Sequence, residues 1–319
     1  MHVAAKRLAR RPQMQVTPPA DGGHTGRFAP SPSGPLHFGS LVSAVGSYLQ
    51  ARQHGGRWLL RIEDHDRPRE VPGAAQRIIA SLRAHGFEWD APLIYQSQRA
   101  ELYETALHRL RAAGLLYSCR CSRRQLRQSA RSGAGGPIYP GTCRALNLPD
   151  DDAALRLRVA GEIAFDDALQ GSFTQDLPAE LGDIVLRRRD GCYAYQLAVV
   201  VDDAQQGITE VVRGADLLDN TPRQIYLQRC LGLPTPRYLH LPVANNAAGE
   251  KLSKQTFARA LDDSDPLPAL RLAWAFLGQP ELRAGSVDAF WRAALRDWCC
   301  QRLPRLRALP APAPDNPGG

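Results

Sequence analysis

Two strings far apart in a chain of 319 residues carry residue types suited to holding an anion. The first, Gly34-Pro35-Leu36-His37-Phe38-Gly39-Ser40, follows the proline-rich run Arg27-Phe28-Ala29-Pro30-Ser31-Pro32-Ser33 and precedes an apolar, helix-like segment. Backbone turning from such a run into a helix offers unpaired N–H groups and the positive end of the helix dipole, a natural seat for phosphate. Gly34 and Gly39 permit close approach, and His37 stands one side chain away with hydrogen bonds to donate. A histidine ahead of a helix also has a purely structural reading. The second string is Lys251-Leu252-Ser253-Lys254. The chain holds 37 arginines but three lysines, Lys6, Lys251 and Lys254, so two of the three share four residues. A compact ammonium on a flexible stem meets phosphate as a point charge, a task unlike the planar bidentate work of arginine.

Thiols form a second candidate centre. Cys119, Cys121 and Cys143, with Tyr139 in the string YPGTCR, are close enough in sequence to hold zinc through three thiolates and one further ligand. Tyr139, His108 and Cys192 are all open for the fourth place, and buried, unligated cysteine is the plain alternative. A metal there is structural, since a turn-rich insertion with little core can draw folding free energy from it. Seven cysteines, an odd set, fit metal binding in a reducing compartment better than a disulfide framework. A formal net charge of +8 and a pI near 9.3 make a polyanion a reasonable partner, with a solvated basic surface as the bland alternative. No segment has the continuous apolar run of a secretory signal or the ~20 apolar residues of a membrane span, so a cytoplasmic chain with no membrane partner is expected.

The elements that must position these residues alternate between helix-like and strand-like runs. Leu41–Leu49 reads as a helix, Trp58–Ile62 as a strand ending in the acids Glu63-Asp64, and residues 73–85 and 98–113 as further helices. Strand-like runs follow at Leu155–Val159, Ile184–Arg188 and Tyr195–Val201, the last closing on Asp202-Asp203. Residues 221–231 and most of 266–301 read as helical. The expected fold is α/β, a Rossmann-type doubly wound parallel sheet with an inserted zinc-binding subdomain and a short C-terminal helical region. Its divisions are a disordered extension over 1–24, catalytic halves at 25–118 and 191–240, and the insertion at 119–190. The lysine loop and helical region take 241–302, and a disordered tail takes 303–319.

The string PSGPLHFGS resembles the HIGH signature of class I aminoacyl-tRNA synthetases, and Lys251-Leu252-Ser253-Lys254-Gln255 resembles their KMSKS loop. RFAPSPSGPLHFGSL, RIEDHD at 61–66, YAYQLAVVVDD and VVRGADLL resemble the glutamyl group, over roughly residues 26–262. The resemblance implies that ATP, with magnesium, lies between the two signatures and that glutamate is activated as the adenylate. It implies His37, Gly39, Lys251 and Lys254 as catalytic residues, with His37, Gly39, Ser40 and Lys254 on ATP. Arg27, Phe28, Ala29, Pro30, Ser31, Glu63, Tyr195 and Arg213 would line the L-glutamate site, where Arg27 or Arg213 could fork onto a carboxylate and Glu63 face the ammonium. It favours Tyr139 as the fourth zinc ligand beside Cys119, Cys121 and Cys143. After Gln255 only 64 residues remain, too few for an anticodon-binding region. That length, the CxC pair and the KLSKQ form resemble the shorter branch of the group, which activates glutamate without tRNA and passes it to queuosine in the anticodon loop of tRNA(Asp). A monomer is expected. The rival readings are a truncated enzyme charging the 3′ end of tRNA(Glu) and a non-catalytic RNA-binding paralogue.

Overall fold

Arg27 lies inside β1 (Thr25–Phe28), a strand buried along its whole length, and the chain leaves it through the prolines to enter α1 (Phe38–Gln53). β2 (Arg57–Ile62) runs parallel to β1 with Leu59 opposite Arg27. After α2 (Ala74–Ala84), β3 (Ile94–Tyr95) joins β2, again parallel, and α3 (Ala100–Ala112) follows. Parallel neighbours need long crossovers, and α1 and α2 supply them. The computed structural model describes residues 23–65, 70–129, 131–133, 136–246, 248–252 and 259–312.

The next segment changes texture. β4 (Leu116–Cys119), α4 (Arg123–Ser129) and the small hairpin of β5 (Arg131–Gly133) and β6 (Gly136–Ile138) lead to β7 (Ala154–Leu157). β8 (Glu162–Asp167) and β9 (Gly171–Asp176) pair antiparallel over six residues each, and α5 (Leu177–Glu180) precedes β10 (Ile184–Arg187). β10, β7 and β4 make one antiparallel sheet. Parallel pairing then resumes. α6 (Tyr195–Gln205) leads to β11 (Glu210–Gly214), and α7 (Thr221–Leu231) to β12 (Arg237–Leu241), which lies parallel to β11 and also touches β8 at Tyr238 and Asp167. β11 abuts β1, where the Thr209 amide donates to the Thr25 carbonyl at 2.9 Å. β13 (Val243–Asn245), α8 (Pro266–Phe276), α9 (Val287–Asp297) and β14 (Ala308–Pro310) complete the chain.

α1 is buried from Leu41 to Ala51 except at Ser43, and its first turn faces the open side of the sheet. One face meets β1 and β2, and the other meets α8 and α9, with Trp58, Tyr48, Phe87 and Trp291 stacked or edge-on between them. Gly46 is where α1 crosses β12, and a Cβ there would stand 2.5 Å from a methyl of Leu241.

Two expectations are overturned. Tyr195–Val201 is not a strand but the body of α6, and every residue from Gln196 to Ala204 is buried. A run apolar at every position fits a buried strand and a buried helix equally, because periodicity is lost in both. Asp202 and Asp203 therefore do not close a strand at the ligand crevice; they sit on the helix beneath it. The second correction concerns the tail. Ala308–Pro310 is a strand paired with β13, and Ala311 donates to the Asn245 carbonyl at 2.7 Å. Its prolines read as a loose end, yet proline is compatible with an edge strand. Residues 1–22 and 313–319 lie outside the described residues, whereas His24, assigned to the extension, stacks on His54 with ring centroids 5.0 Å apart.

The acids of α6 organise the sheet. Asp203 accepts from Arg27 Nε at 3.2 Å and from Arg61 Nη1 at 2.8 Å. Asp202 accepts from Arg99 Nε at 2.6 Å, Gln96 at 2.7 Å and the Tyr103 hydroxyl at 2.8 Å. Arg61 also donates to Glu63 at 3.2 Å and is fully enclosed. Burial alone would push the Asp203 carboxyl up; the Arg27 and Arg61 guanidiniums outweigh it and hold the group below the ordinary range. Removing one member of such a lattice leaves its partners buried and uncompensated. Asp203→Ala should therefore cost about 3–5 kcal/mol of stability in urea unfolding, and a loss below about 1 kcal/mol would show the lattice to be energetically idle.

Candidate active site

A cleft of about 620 Å³ opens where the parallel strands end. Such strand ends are the usual ligand crevice of an open α/β sheet. Arg27 and Phe28 reach it from β1, Glu63 from the end of β2, Arg213 from β11, and Val243 and Ala244 from β13. Ala29, Pro30, Ser31, His37, Gly39, Ser40, Tyr195 and Lys251 complete the set of expected residues that line it. Lys254, Ser253 and Gln255 lie outside the described residues.

The two lysine- and histidine-bearing strings meet here. A Cβ on Gly39 would stand in van der Waals contact with the Leu252 carbonyl oxygen, 3.7 Å away, which places the two strings side by side. On the far side, His37 bridges Ala260, and Leu261 donates to the Leu36 carbonyl at 3.0 Å. Lys251 is held at its base by β13, through a bridge to Asn245 and a bond from the Leu252 amide to Ala244 at 2.7 Å. Its ammonium pairs with Asp216. His37 caps α1, its Nδ1 accepting from the Ser40 amide at 3.4 Å, so the structural reading of this histidine holds alongside its place in the cleft.

Both signs of charge are present. Glu63 and Arg213 are 7% and 5% exposed, which makes each an enclosed group facing one cavity. Burial pushes the Glu63 carboxyl up, against the pull of Arg61 and Arg27, and burial likewise raises the Tyr195 phenol. Arg27 spends its Nε on Asp203 and an Nη on the Val212 carbonyl at 3.3 Å. Arg213, by contrast, makes no ion pair with a carboxylate among the described residues. It donates to His240 Nε2 at 3.0 Å and Thr221 Oγ1 at 3.0 Å, and lies 3.5 Å from the Tyr195 hydroxyl. Of the two arginines proposed for a carboxylate, Arg213 is the one whose charge is unspent. His240 and its partner Asp167 were not singled out from sequence, Asp216 appeared there only within a longer string, and Asp203 only as an acid closing an expected strand.

The thiol cluster is a separate centre. The Sγ atoms of Cys119, Cys121 and Cys143 lie within 4.8 Å of one another, and the group includes neither His108 nor Cys192. Tyr139 Oη is 3.4 Å from Cys119 Sγ and 3.9 Å from Cys121 Sγ. Arg156 lies 3.8 Å over the Tyr139 ring, a cation beside groups that become anions when they ligate a metal. The donor set and its spacing fit one small, thiophilic ion.

The chain matches the model of the catalytic domain of class I tRNA synthetases (E and Q) over residues 25–270. It is 58% identical over 297 residues to a Glutamyl-Q tRNA(Asp) synthetase of Dechloromonas aromatica, covering 91% of this chain and 99% of that one. The protein of that name from Chromobacterium violaceum is 55% identical over 285 residues, covering 88% and 95%. The chain belongs to the glutamyl-Q tRNA(Asp) synthetase family. Its fold is that of a class I synthetase, α/β with parallel strands. A solved glutamate tRNA ligase from Elizabethkingia meningosepticum, captured with its amino acid, superposes with a TM-score of 0.74 at 24% identity, covering 91% of this chain and 67% of that one. Among the described residues no helix is long and apolar enough to cross a membrane.

Two buried histidines in this family member give a pH signature. Burial, with His54 and Arg237 adding to it, holds His24 down to about 4. Burial holds His240 down to about 4 as well, against the opposing bond to Asp167. Exposed histidine titrates near 6.5, so between these values the unfolded chain binds more protons than the folded one. Stability should rise as pH goes from about 4.5 to 6.5 and level off above. Thermal unfolding across that window checks it, and a flat profile would mean the rings are not buried neutral.

Proposed function

We propose that this chain activates L-glutamate with ATP, without needing tRNA, and transfers it to the queuosine base at the wobble position of tRNA(Asp). The observation that carries the reading is a single cleft uniting the first turn of α1, Lys251 and two enclosed groups of opposite charge, Glu63 and Arg213. The names of relatives at 54–58% identity support the same substrate.

In this reading Glu63 meets the amino acid's ammonium, and Arg213 with Tyr195 takes a carboxylate. Arg27 and the Phe28–Ser31 backbone line the remaining wall. A carboxylate oxygen of glutamate attacks the α-phosphorus of ATP in line. The bond from that phosphorus to the bridging oxygen breaks, giving the mixed anhydride and pyrophosphate. Negative charge grows on the departing oxygens, so catalysis is positioning and electrostatic stabilisation, with no enzyme nucleophile. His37, Gly39 and Ser40 at the start of α1, with Lys251 and Lys254, supply the positive potential, and magnesium is carried chiefly by ATP. In the second step a hydroxyl of the queuosine cyclopentenediol attacks the activated carbonyl carbon and gives up its proton to solvent, and AMP leaves with the electron pair as the ester forms.

Cys119, Cys121, Cys143 and Tyr139 would hold one zinc ion, whose contribution is to fold a turn-rich segment rather than to react. The segment over 119–190 is then an insertion between two catalytic halves, 25–118 and 191–240. Surface arginines track the RNA phosphates, with affinity falling as salt rises. We take the protein to work as a monomer in the cytoplasm.

Glutamate-dependent exchange of pyrophosphate into ATP should proceed without RNA, and labelled glutamate should pass to tRNA(Asp) only when it carries queuosine. Absence of exchange would favour a binding module, and labelling of tRNA(Glu) would favour a truncated charging enzyme. Lys254→Ala should raise the exchange barrier by about 2–4 kcal/mol, the usual weight of one charge-stabilising group; an unchanged rate removes that lysine from the chemistry. Metal analysis should find one zinc per chain, lost in Cys143→Ala. A metal-free, fully folded wild type would refute the zinc site.

A further inference from the structure

Behind Arg213 stands a chain of three buried side chains from adjacent strands. Arg213 on β11 is paired in register with His240 on β12, and Asp167 at the end of β8 lies beside them. His240 is fully enclosed and Asp167 is 3% exposed. Asp167 Oδ1 accepts from the amides of Leu169 at 3.0 Å, Gln170 at 2.9 Å and His240 at 3.2 Å, while Oδ2 meets His240 Nδ1 at 2.5 Å. A carboxylate so held is acceptor-only, which puts the imidazole proton on Nδ1 and leaves Nε2 as an acceptor. Nε2 receives Arg213 Nε–H at 3.0 Å. Tyr238 stacks on the imidazole with centroids 6.1 Å apart and an interplanar angle of 12°, and Arg213 lies 5.6 Å over the same tyrosine.

The contrast with Arg27 shows what this arrangement accomplishes. Arg27 touches Asp203 directly, and its charge is neutralised where it lies. Arg213 is aligned just as firmly, but its partners among the described residues are uncharged, and the one at Nε is the imidazole ring. The acid that fixes the geometry is one imidazole away. Orientation passes through the ring and most of the negative charge does not, so the guanidinium reaches the cleft aligned and uncompensated.

We propose that His240, braced by Asp167, is a positioning residue for the amino-acid site: it aims Arg213 into the cleft without spending its charge, and thereby sets the preference for a carboxylate-bearing amino acid over its amide. This rests on the reading of Arg213 as a glutamate-binding group. A carboxylate directly on Arg213 would have satisfied the fork and left little reason to favour glutamate over glutamine. A purely apolar neighbour would have left Nε unpaired and the fork free to turn.

The test is steady-state pyrophosphate exchange with glutamate, glutamine and ATP varied separately. His240→Leu should raise the KM for glutamate by roughly 10-fold to 100-fold, the factor a hydrogen bond to a charged group is worth, with the KM for ATP unchanged. His240→Gln, which keeps an acceptor for Arg213, should restore most of the affinity. His240→Glu should narrow the preference for glutamate over glutamine. If His240→Leu strands the Asp167 charge and fails to fold, the double variant Asp167→Asn with His240→Leu gives the same readout without that charge. Arg213→Ala separates the two claims. If it leaves glutamate dependence intact, the glutamate-site reading itself fails. If it abolishes that dependence while folded His240→Leu, or the double variant, keeps a normal glutamate KM and selectivity, only the role of His240 is overturned. Equal losses in glutamate and ATP affinity would likewise overturn it, marking a general packing defect.

Discussion

Two consecutive carboxylates, Asp202 and Asp203, hold together segments that sequence separates by more than a hundred residues. Through them α6 grips Arg27 of β1, Arg61 of β2 and Arg99 ahead of α3, and through Arg61 it reaches Glu63. Buried charges repay their desolvation only when their partners are present in good geometry, so the strands and helix must arrive in one register or not at all. The floor of the cleft is the upper surface of this lattice. Phe28 and the prolines continue directly from Arg27, and Glu63 is both the last member of the lattice and a wall of the cavity.

Above that neutralised floor the cleft keeps a different electrostatic regime. Lys251 has Asp216 as partner, and Glu63 keeps the reach of Arg61, but among the described residues Arg213 meets only neutral acceptors. An enclosed cation without an anion is costly unless it is well hydrogen-bonded and a ligand completes it. The fold meets the first condition with His240, Thr221 and Tyr195. The second is left to whatever enters, which is how a protein converts folding energy into a demand for a negatively charged guest.

Much of this was legible in the chain before any coordinates. The helices at Phe38–Gln53 and Thr221–Leu231 follow from local pattern, and the strand at Arg57–Ile62 from a short apolar run bounded by glycines and acids. Bringing the GPLHFGS and KLSK strings together required more than pattern, and the resemblance supplied it; the described residues carry that approach as far as Leu252. α6 was misread because a helix buried all round leaves no periodic trace. Asp167 and His240 were invisible for another reason. Each is an ordinary residue in its own strand, and only the β8–β12–β11 pairing makes them a unit. The Cys119–Cys143 group was visible as spacing, which left Tyr139, His108 and Cys192 open for a fourth place; the resemblance favoured Tyr139, whose hydroxyl lies 3.4 Å from Cys119 Sγ.

β14 carries a consequence of its own. It backs β13, the strand from which both the cleft wall and the base of the lysine segment hang. In this pair Ala311 turns its amide toward β13, so by strand alternation the amides at 310 and 312 would face the other way. Both positions are proline. Among the described residues the outer margin of β14 therefore keeps the outward amide of Ala308 and loses two further donors to proline, which shortens the edge on which a stray β-segment could dock. A wall of the cleft is thus reinforced from behind by a strand whose free edge is short of donors.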